Sequence, residues 1–451
     1  MKNKISKYII IAACLLGTAC EKKLDLANPS SLDADIVFST DDRVNKVLIG
    51  NYAAMGAAAM FGGDALWMSE LLGSDGELSW VGTFPDPRQI WGKSIQTNNS
   101  NVFATYAQAY RIIYNSNNIL ANLDVVKAVD KSRVEGEAKF QRAMAYFELI
   151  KYYGEKPYIS GNTTTLKGVP LPLVPKDHAI DARLPRASVE QVYTQIITDF
   201  TAAETLLPAT RNTVYANRAA ATLGLSRVYL QQGKYAEARD AANRCITAAT
   251  ATGMSLVPVF ANAFNTTANT VEDIFAMQVT AQAGTNSCFT FFSTATYGAR
   301  DGDIEVEVKH MNKYEPGDRR KDLFFLEAGA FRCGKWQLNI RNVKVMRLAE
   351  AYLTRAECNA RLGTSIGATP AADIKRIRDR AALPEIAAPT LDQILKEREL
   401  ELAFEGQAAW DAKRLKLTTD GLAWDAPKMT FPIPLRERNI NPELAQNPGY
   451  N

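Results

Sequence analysis

The 451-residue sequence predicts a mainly α-helical protein: a solenoid of helix pairs carrying a long irregular, strand-containing insert and a loop-rich face. Three observations support this. Apolar residues recur at helical spacing over most of the chain, which is the signature of amphipathic helices. One pair of such stripes is joined by a glycine turn, and comparable stripes follow one another along the sequence. Two stretches, 62–101 and 251–339, break the rhythm with Gly, Pro, Asn and aromatic residues. Loops that long in a compact body usually carry function.

The amino terminus comes first. Lys2, Lys4 and Lys7 precede an apolar run over 8–16, which ends in Gly17-Thr18-Ala19-Cys20. A basic start, a short apolar stretch and small residues before a cut read as a secretory signal over 1–19. The run is too short to remain as a membrane-spanning helix. Thr18-Ala19-Cys20 resembles a bacterial lipobox, which makes Cys20 the expected lipid attachment site. Gly17 departs from that pattern, because leucine is usual there and Leu16 sits one place early. Ordinary secretory cleavage with Cys20 unmodified is the alternative. Residues 1–19 hold three lysines and no acids, so the formal +3 of the whole chain falls to zero on their removal. A neutral chain has no long-range field for nucleic acid. With no long apolar stretch after residue 20, membrane attachment is expected through lipid.

The mature chain of about 430 residues exceeds one ordinary core. Two parts are expected, a helical-repeat region over 20–253 and a module with the loop-rich insert over 254–451. Helices are expected over 42–59 and 104–127. Phe140, Ala143, Met144, Phe147 and Ile150 form a stripe that ends near Gly154. Ser188 and Gln191 make a capping box before Val189, Val192, Tyr193, Ile196, Phe200, Ala203 and Leu207, and Pro208 stops that helix. Leu225, Ser226, Tyr229, Gly233, Tyr235, Ala238, Ala242 and Cys245 follow the large-small-aromatic order of a tetratricopeptide helix pair. Val345, Leu348, Ala349, Tyr352, Leu353 and Ala356 form a further stripe. About four pairs would build a small solenoid.

The last helix is expected over 391–416, with Leu391, Ile394, Leu395, Leu402 and Ala409 on one face. Arg398 and Glu405 fall inside that face, where charge is costly unless paired. They should be satisfied by each other or by a neighbouring helix. Glu397, Glu401 and Glu405 interleave with Arg and Lys, a pattern of ion-pair networks more than of acid–base catalysis.

This helix, with Trp410-Asp411-Ala412-Lys413-Arg414, Phe431-Pro432-Ile433-Pro434, Asn441-Pro442 and Asn447-Pro448-Gly449-Tyr450, resembles the C-terminal module of the SusD/RagB family. Further ordered matches are Arg133 to Gly154 with Pro157, Pro185-Arg186-Ala187-Ser188-Val189, Arg347 to Glu357, and Arg376 to Ala381. The resemblance implies an outer-membrane lipoprotein, surface-exposed, that binds a nutrient oligomer without catalysis. It would deliver that nutrient to a SusC-like TonB-dependent transporter barrel. A glycan is the expected cargo, with a peptide as the alternative. A secreted glycosidase using paired carboxylates is the rival from another class.

Sugars are gripped by flat aromatic faces and by amide or guanidinium groups. The two irregular stretches therefore supply the expected ligand residues Trp80, Phe84, Arg88, Trp91, Asn98, Phe292, Tyr297 and Trp336. Trp80 stands among Gly76, Ser79 and Gly82, as in a surface loop. Trp91, Phe289 and Phe291 also fit a core role. If their segment is a strand, Phe291 and Phe292 point opposite ways. Cys245 and Cys358 read as buried thiols, whereas Cys288 and Cys333 could pair in an oxidising compartment. His178 and His310 form no zinc motif, and neither a G-x-S-x-G elbow nor a Gly-rich phosphate loop is present. Asp301, Asp303, Glu305 and Glu307 alternate but lack the EF-hand glycine and glutamate, so a solvated strand face is expected there. No cofactor or metal is expected.

Overall fold

The computed structural model describes residues 34–175 and 183–450. The expected leader, Cys20 and His178 lie outside these. After a single turn, α1 (Ala34–Val37), the chain forms α2 (Asp41–Met55), α3 (Asp64–Leu72), β1 (Leu78–Trp80), α4 (Pro85–Trp91), α5 (Ser100–Ala121) and α6 (Ala128–Tyr153). Next come α7 (Val189–Leu206), α8 (Arg218–Gln232) and α9 (Tyr235–Ala251). Among the described residues, no helix is long and apolar enough to cross a membrane.

Local rules explain these starts and stops. The side chains of Thr40, Asn99, Ser188 and Asn217 each accept a backbone N–H in the first turn, and Gln191 completes the expected capping box. Gly233, at φ 73°, ends α8 in the left-handed conformation that glycine tolerates. The expected α8–α9 pair is present, with the Ser226 hydroxyl donating to the Ala238 carbonyl at 3.2 Å. Gly224 lets α8 approach α7 closely, since a Cβ there would stand 2.6 Å from the Phe200 ring. The helices stack in series, α2 on α5, α5 on α6, α6 on α7, α7 on α8 and α8 on α9. The series continues with α9 on α12 (Leu348–Leu362), and α12 packs on α13 (Pro370–Arg380) and α14 (Leu391–Glu401).

Between α9 and α12 lies the insert. It holds β2 (Asp273–Met277), α10 (Ser287–Phe292), β3 (Ile304–Val306), α11 (Val308–Met311), β4 (Phe324–Glu327), β5 (Ala330–Cys333) and β6 (Val343–Arg347). β2 and β6 form a fully buried antiparallel pair. The other strands form an antiparallel sheet in the order β1-β3-β5-β4, joining the early irregular stretch to the later one.

Several expectations change. The stretch 62–101 is not loop alone, since it holds α3, β1 and α4. Val345 belongs to β6, and its helix begins at Leu348. Phe291 and Phe292 lie in α10, where adjacent residues need not face apart, and both are buried. The four described cysteines are buried free thiols, so Cys288 and Cys333 do not pair. The expected 391–416 helix is broken between α14 and α15 (Ala408–Arg414) by Phe404 at φ 63° and Gly406 at φ 87°. There the Glu70 carboxylate accepts the backbone N–H groups of Gly406 (2.6 Å) and Gln407 (2.7 Å). These local bonds replace the helical hydrogen bonds that the break removes. A final short helix, α16 (Leu435–Ile440), precedes the tail. Phe431 stacks on Tyr152 at 4.5 Å, and the Asn447 amide donates to the carbonyls of Tyr153 and Phe431. Those contacts tie the tail to the end of α6.

The acidic residues around α14 enter clamps, as their interleaving with basic residues suggests. Arg347 reaches Glu272 (2.6 Å), Glu401 (3.1 Å) and Glu405 (2.7 Å). Arg380 pairs with Glu272 and Glu401, and Lys335 with Glu405 at 2.7 Å. Glu397 takes Arg320 (2.7 Å) and Arg378 (2.5 Å). Arg398 finds Asp411 at 2.9 Å and does not pair with Glu405. Burial opposes ionisation of Glu405, but Arg347 and Lys335 hold its pKa down to about 2. Glu272 is held at about 2 against burial by Arg380 and Arg347.

Two predictions follow from these charges. Both carboxyls titrate below their unfolded value of 4.5, so their contribution is complete above that pH and is lost as pH falls towards 2. Urea titrations should show the midpoint dropping through that window. Glu405→Gln should cost ~3–5 kcal/mol at pH 7 by leaving Arg347 incompletely paired, and should flatten the acid slope. A second test uses Lys413, whose pKa burial, with help from Lys151, pushes down to about 7. Its unfolded pKa of 10.5 is higher, so stability should rise between those values. Lys413→Met should raise the melting temperature at pH 7 and remove that rise; an unchanged slope would refute the assignment.

Candidate ligand-binding groove

Strand alternation builds the site. In β1, Leu78 and Trp80 turn into the core, and Ser79 turns away from it. Ser79 lies opposite Glu305 in the sheet register, and its hydroxyl bonds the Glu307 carboxylate. Beside this strand face lies a groove of about 420 Å³, lined by Ser79, Trp91, Lys93, Glu307, Asp420, Leu422 and Lys428. Trp91, the last residue of α4, donates its indole N–H to the Leu78 carbonyl at 2.8 Å. That bond fixes the half-buried ring at the groove wall. Lys93 donates to the Leu71 carbonyl at 3.2 Å and pairs with Asp420. Burial lowers the Lys93 pKa, and Asp420 works against the shift. Lys428 is exposed at the rim.

A rigid ring beside hydroxyl, ammonium and carboxylate groups suits a polyhydroxy ligand, with apolar C–H faces on the ring and hydroxyls on the polar rim. The groove's carboxylates already have protein partners, Ser79 on Glu307 and Lys93 on Asp420. Three of the four alternating acids are similarly engaged, Glu307 among them, whereas Asp301 is exposed. Asp303 pairs with Arg300 at 2.6 Å and Glu305 with Arg332 at 3.0 Å, and among the described residues no cluster of His, Cys, Asp or Glu could hold a metal ion.

Of the expected ligand residues, Trp91 alone lines this groove. Trp80 is only 2% exposed, with its ring edge-on to Phe291 at 5.4 Å, so it offers no free stacking face. Phe292 is buried against Phe404 at 5.7 Å. Trp336 is buried as well, donating its indole N–H to the Phe404 carbonyl at 3.1 Å. These three support the loops from within. Phe84 is 43% exposed beyond β1, edge-on to Phe291 and covered by the Arg300 guanidinium at 4.3 Å. Tyr297 is 41% exposed and meets Phe325 edge-on at 5.5 Å. Arg88 is exposed and spans its loop to the Gly82 carbonyl at 2.6 Å. Asn98 is exposed next to Asn99, whose side chain caps α5. Sequence reasoning missed Ser79, Lys93, Glu307, Asp420, Leu422 and Lys428 as groove residues. Only Ser79 and Glu307 carried a usable signal, their places in alternating strand-like runs.

Comparison with known proteins agrees with this architecture. A family model described as starch-binding and associating with the outer membrane matches residues 23–230, and the SusD family model matches 335–430. SusD-like protein P2 of Formosa agariphila is 24% identical, with all of both chains covered. The starch-binding protein SusD of Bacteroides thetaiotaomicron is 32% identical over 123 residues, 24% of this chain and 22% of that protein. A solved candidate sugar-binding protein from Bacteroides vulgatus superposes with a TM-score of 0.81 at 26% identity, covering 91% of this chain and 99% of its own. With the helix-pair series, the inserted sheets and the C-terminal module in place, this chain belongs to the SusD/RagB family, whose members are binding proteins and not enzymes.

Proposed function

We propose that this protein captures an oligosaccharide in the Trp91 groove and hands it, chemically unchanged, to a SusC-like TonB-dependent barrel. The observation that carries this reading is the ring of Trp91, locked by its bond to the Leu78 carbonyl and flanked by Ser79, Lys93, Glu307 and Asp420. A groove of about 420 Å³ falls within the usual size of ligand sites, and here it suits a short stretch of a glycan chain. The starch-binding description of the matched family model and the names of the relatives support a sugar as cargo. Phe84, Arg88 and Tyr297 are exposed outside the groove.

The barrel partner and the anchor rest on the family resemblance. Lipid on Cys20 would hold the protein at the outer-membrane surface. Delivery without chemistry fits a groove whose carboxylates are already hydrogen-bonded.

Calorimetric titration with maltohexaose, cellohexaose and laminarihexaose tests the reading. At least one should bind, and chromatography should recover it at full length. Trp91→Ala should weaken that binding about tenfold, roughly 1.4 kcal/mol, while the fold remains intact. Trp80→Ala should instead destabilise the protein by ~3–5 kcal/mol, as loss of a buried indole does. Full affinity in Trp91→Ala, or shortened glycan after incubation, would reject the groove as a capture site.

A further inference from the structure

Two Asp-Gly turns meet at the wall of the Trp91 groove. Ser74-Asp75-Gly76-Glu77 closes with the Glu77 N–H donating to the Ser74 carbonyl at 2.8 Å. Thr419-Asp420-Gly421-Leu422 closes with two bonds exchanged between Thr419 and Leu422, at 3.0 and 2.9 Å. The central residues all have positive φ: 43° and 72° at Asp75 and Gly76, 48° and 76° at Asp420 and Gly421. Positive φ at both positions is the signature of a type I′ turn, which Asp-Gly favours. Gly76, Asp420 and Leu422 line the groove, so the two turns and the residues beside them form a strap along it.

The turns are clasped to each other and to the floor. The Asp420 N–H donates to the Asp75 carboxylate at 2.8 Å, and Lys309 pairs with the other Asp75 oxygen at 2.7 Å. The Asp420 carboxylate pairs with buried Lys93, whose ammonium also donates to the Leu71 carbonyl. Lys93 itself lies at φ 51°, a conformation that a lysine rarely adopts. Of the nine non-glycine residues at positive φ among the described residues, Asp75, Lys93 and Asp420 thus form one hydrogen-bonded chain. Such clustering of unfavourable backbone marks a place where the surroundings dictate geometry. Burial opposes ionisation of Asp75, but Lys309 and the Asp420 N–H hold its pKa below the ordinary 3.8. Trp91 is gripped between the two ends of this chain. Lys93 follows it by two residues, and its indole bonds Leu78, three residues after Asp75.

We propose that Asp75 and Lys309, which lie outside the groove lining, are positioning residues that hold Asp420, Lys93 and the Trp91 wall in the shape that receives ligand. The proposal rests on the reading of the groove as a glycan site and adds the device that presets it. A wall already fixed in the bound shape spares the ligand the cost of ordering it. The Lys309 and Asp75 side chains are 52% and 41% exposed, so salt reaches this end of the clasp.

Calorimetry with maltohexaose, cellohexaose and laminarihexaose on Asp75 and Lys309 variants tests it. Asp75→Ala removes the acceptor and a side chain suited to positive φ, and should weaken glycan binding about tenfold. Asp75→Asn keeps an oxygen for the Asp420 N–H and an Asn-Gly turn but loses the ion pair. It should match Lys309→Ala, each about two- to threefold weaker than the parent, with melting temperatures unchanged. Raising NaCl to about 1 M should weaken the parent by a similar factor and leave Lys309→Ala unmoved, although the glycan is neutral. Without ligand, amide exchange over 417–424 should quicken in Asp75→Ala and not in Asp75→Asn. Parent-like affinity in both Asp75→Ala and Lys309→Ala, with binding lost in Trp91→Ala, overturns the clasp and leaves the groove intact as a glycan site. Equal losses in Asp75→Ala and Asp75→Asn also overturn it. No binding of any of the three glycans to the parent rejects the capture reading and the clasp together.

Discussion

Arg347 sits where three carboxylates meet, and much of the architecture hangs on that guanidinium. Its partners come from separate places: Glu272 at the edge of β2, Glu401 at the end of α14, and Glu405 in the break that follows. Removing a charge of this kind from water is expensive, and only near-complete pairing offsets the cost. The clamp therefore specifies one arrangement of β2, β6 and α14 and penalises others. Arg380 and Lys335 close the same network from α13 and from the insert. A planar five-donor guanidinium suits the centre of such a junction better than a point-charge ammonium would.

The clamp acts on the ligand face through chain connectivity. Glu405 is followed by Gly406, whose N–H is held by Glu70 at the end of α3. From Glu70 the chain runs into the strap at 73–79, and from Gly406 through α15 into the strap at 417–420. One carboxylate thus ties together the two segments that wall the groove. Its capping role comes at an electrostatic cost, since burial pushes the Glu70 pKa up to about 7 despite the three backbone N–H groups around it. The hydrogen bonds orient the group, and desolvation still dominates its titration.

Aromatic residues divide into support and display. Trp67, Phe291 and Trp80 form an edge-on series within the core, and Phe84 extends it to the surface. Display requires a ring that is fixed yet open on one side. Trp91 meets that condition because its N–H is spent on a backbone carbonyl and part of its surface stays free. Trp80 does not, because strand alternation sends it inward while Ser79 goes outward. Glycines around Trp80 suggested a surface loop, but Gly82 serves a close approach, since a Cβ there would run into Asp303, and Gly76 a left-handed turn at φ 72°.

The helical repeat was legible in the chain itself. Period-3.6 stripes, the Ser188–Gln191 box and the Gly233 stop depend on residues near one another in sequence, so local physics decides them. The pairing of acids and bases around 397–405 was also legible in kind, since their spacing on one helix signals a network. Their partners were not, because Arg347 meets Glu272 across 75 positions and Glu70 meets Gly406 across 336. The groove depended wholly on such meetings. Trp91 could be nominated from its type, but Lys93 and Asp420 come together over 327 positions, and whether a ring faces solvent or core is settled by packing. Sequence alone determined the helices of the repeat, their order and the kind of module they end in. Which side chains converge on a ligand was decided by the tertiary structure, because exposure and long-range pairing are properties of the packed chain and not of any local stretch.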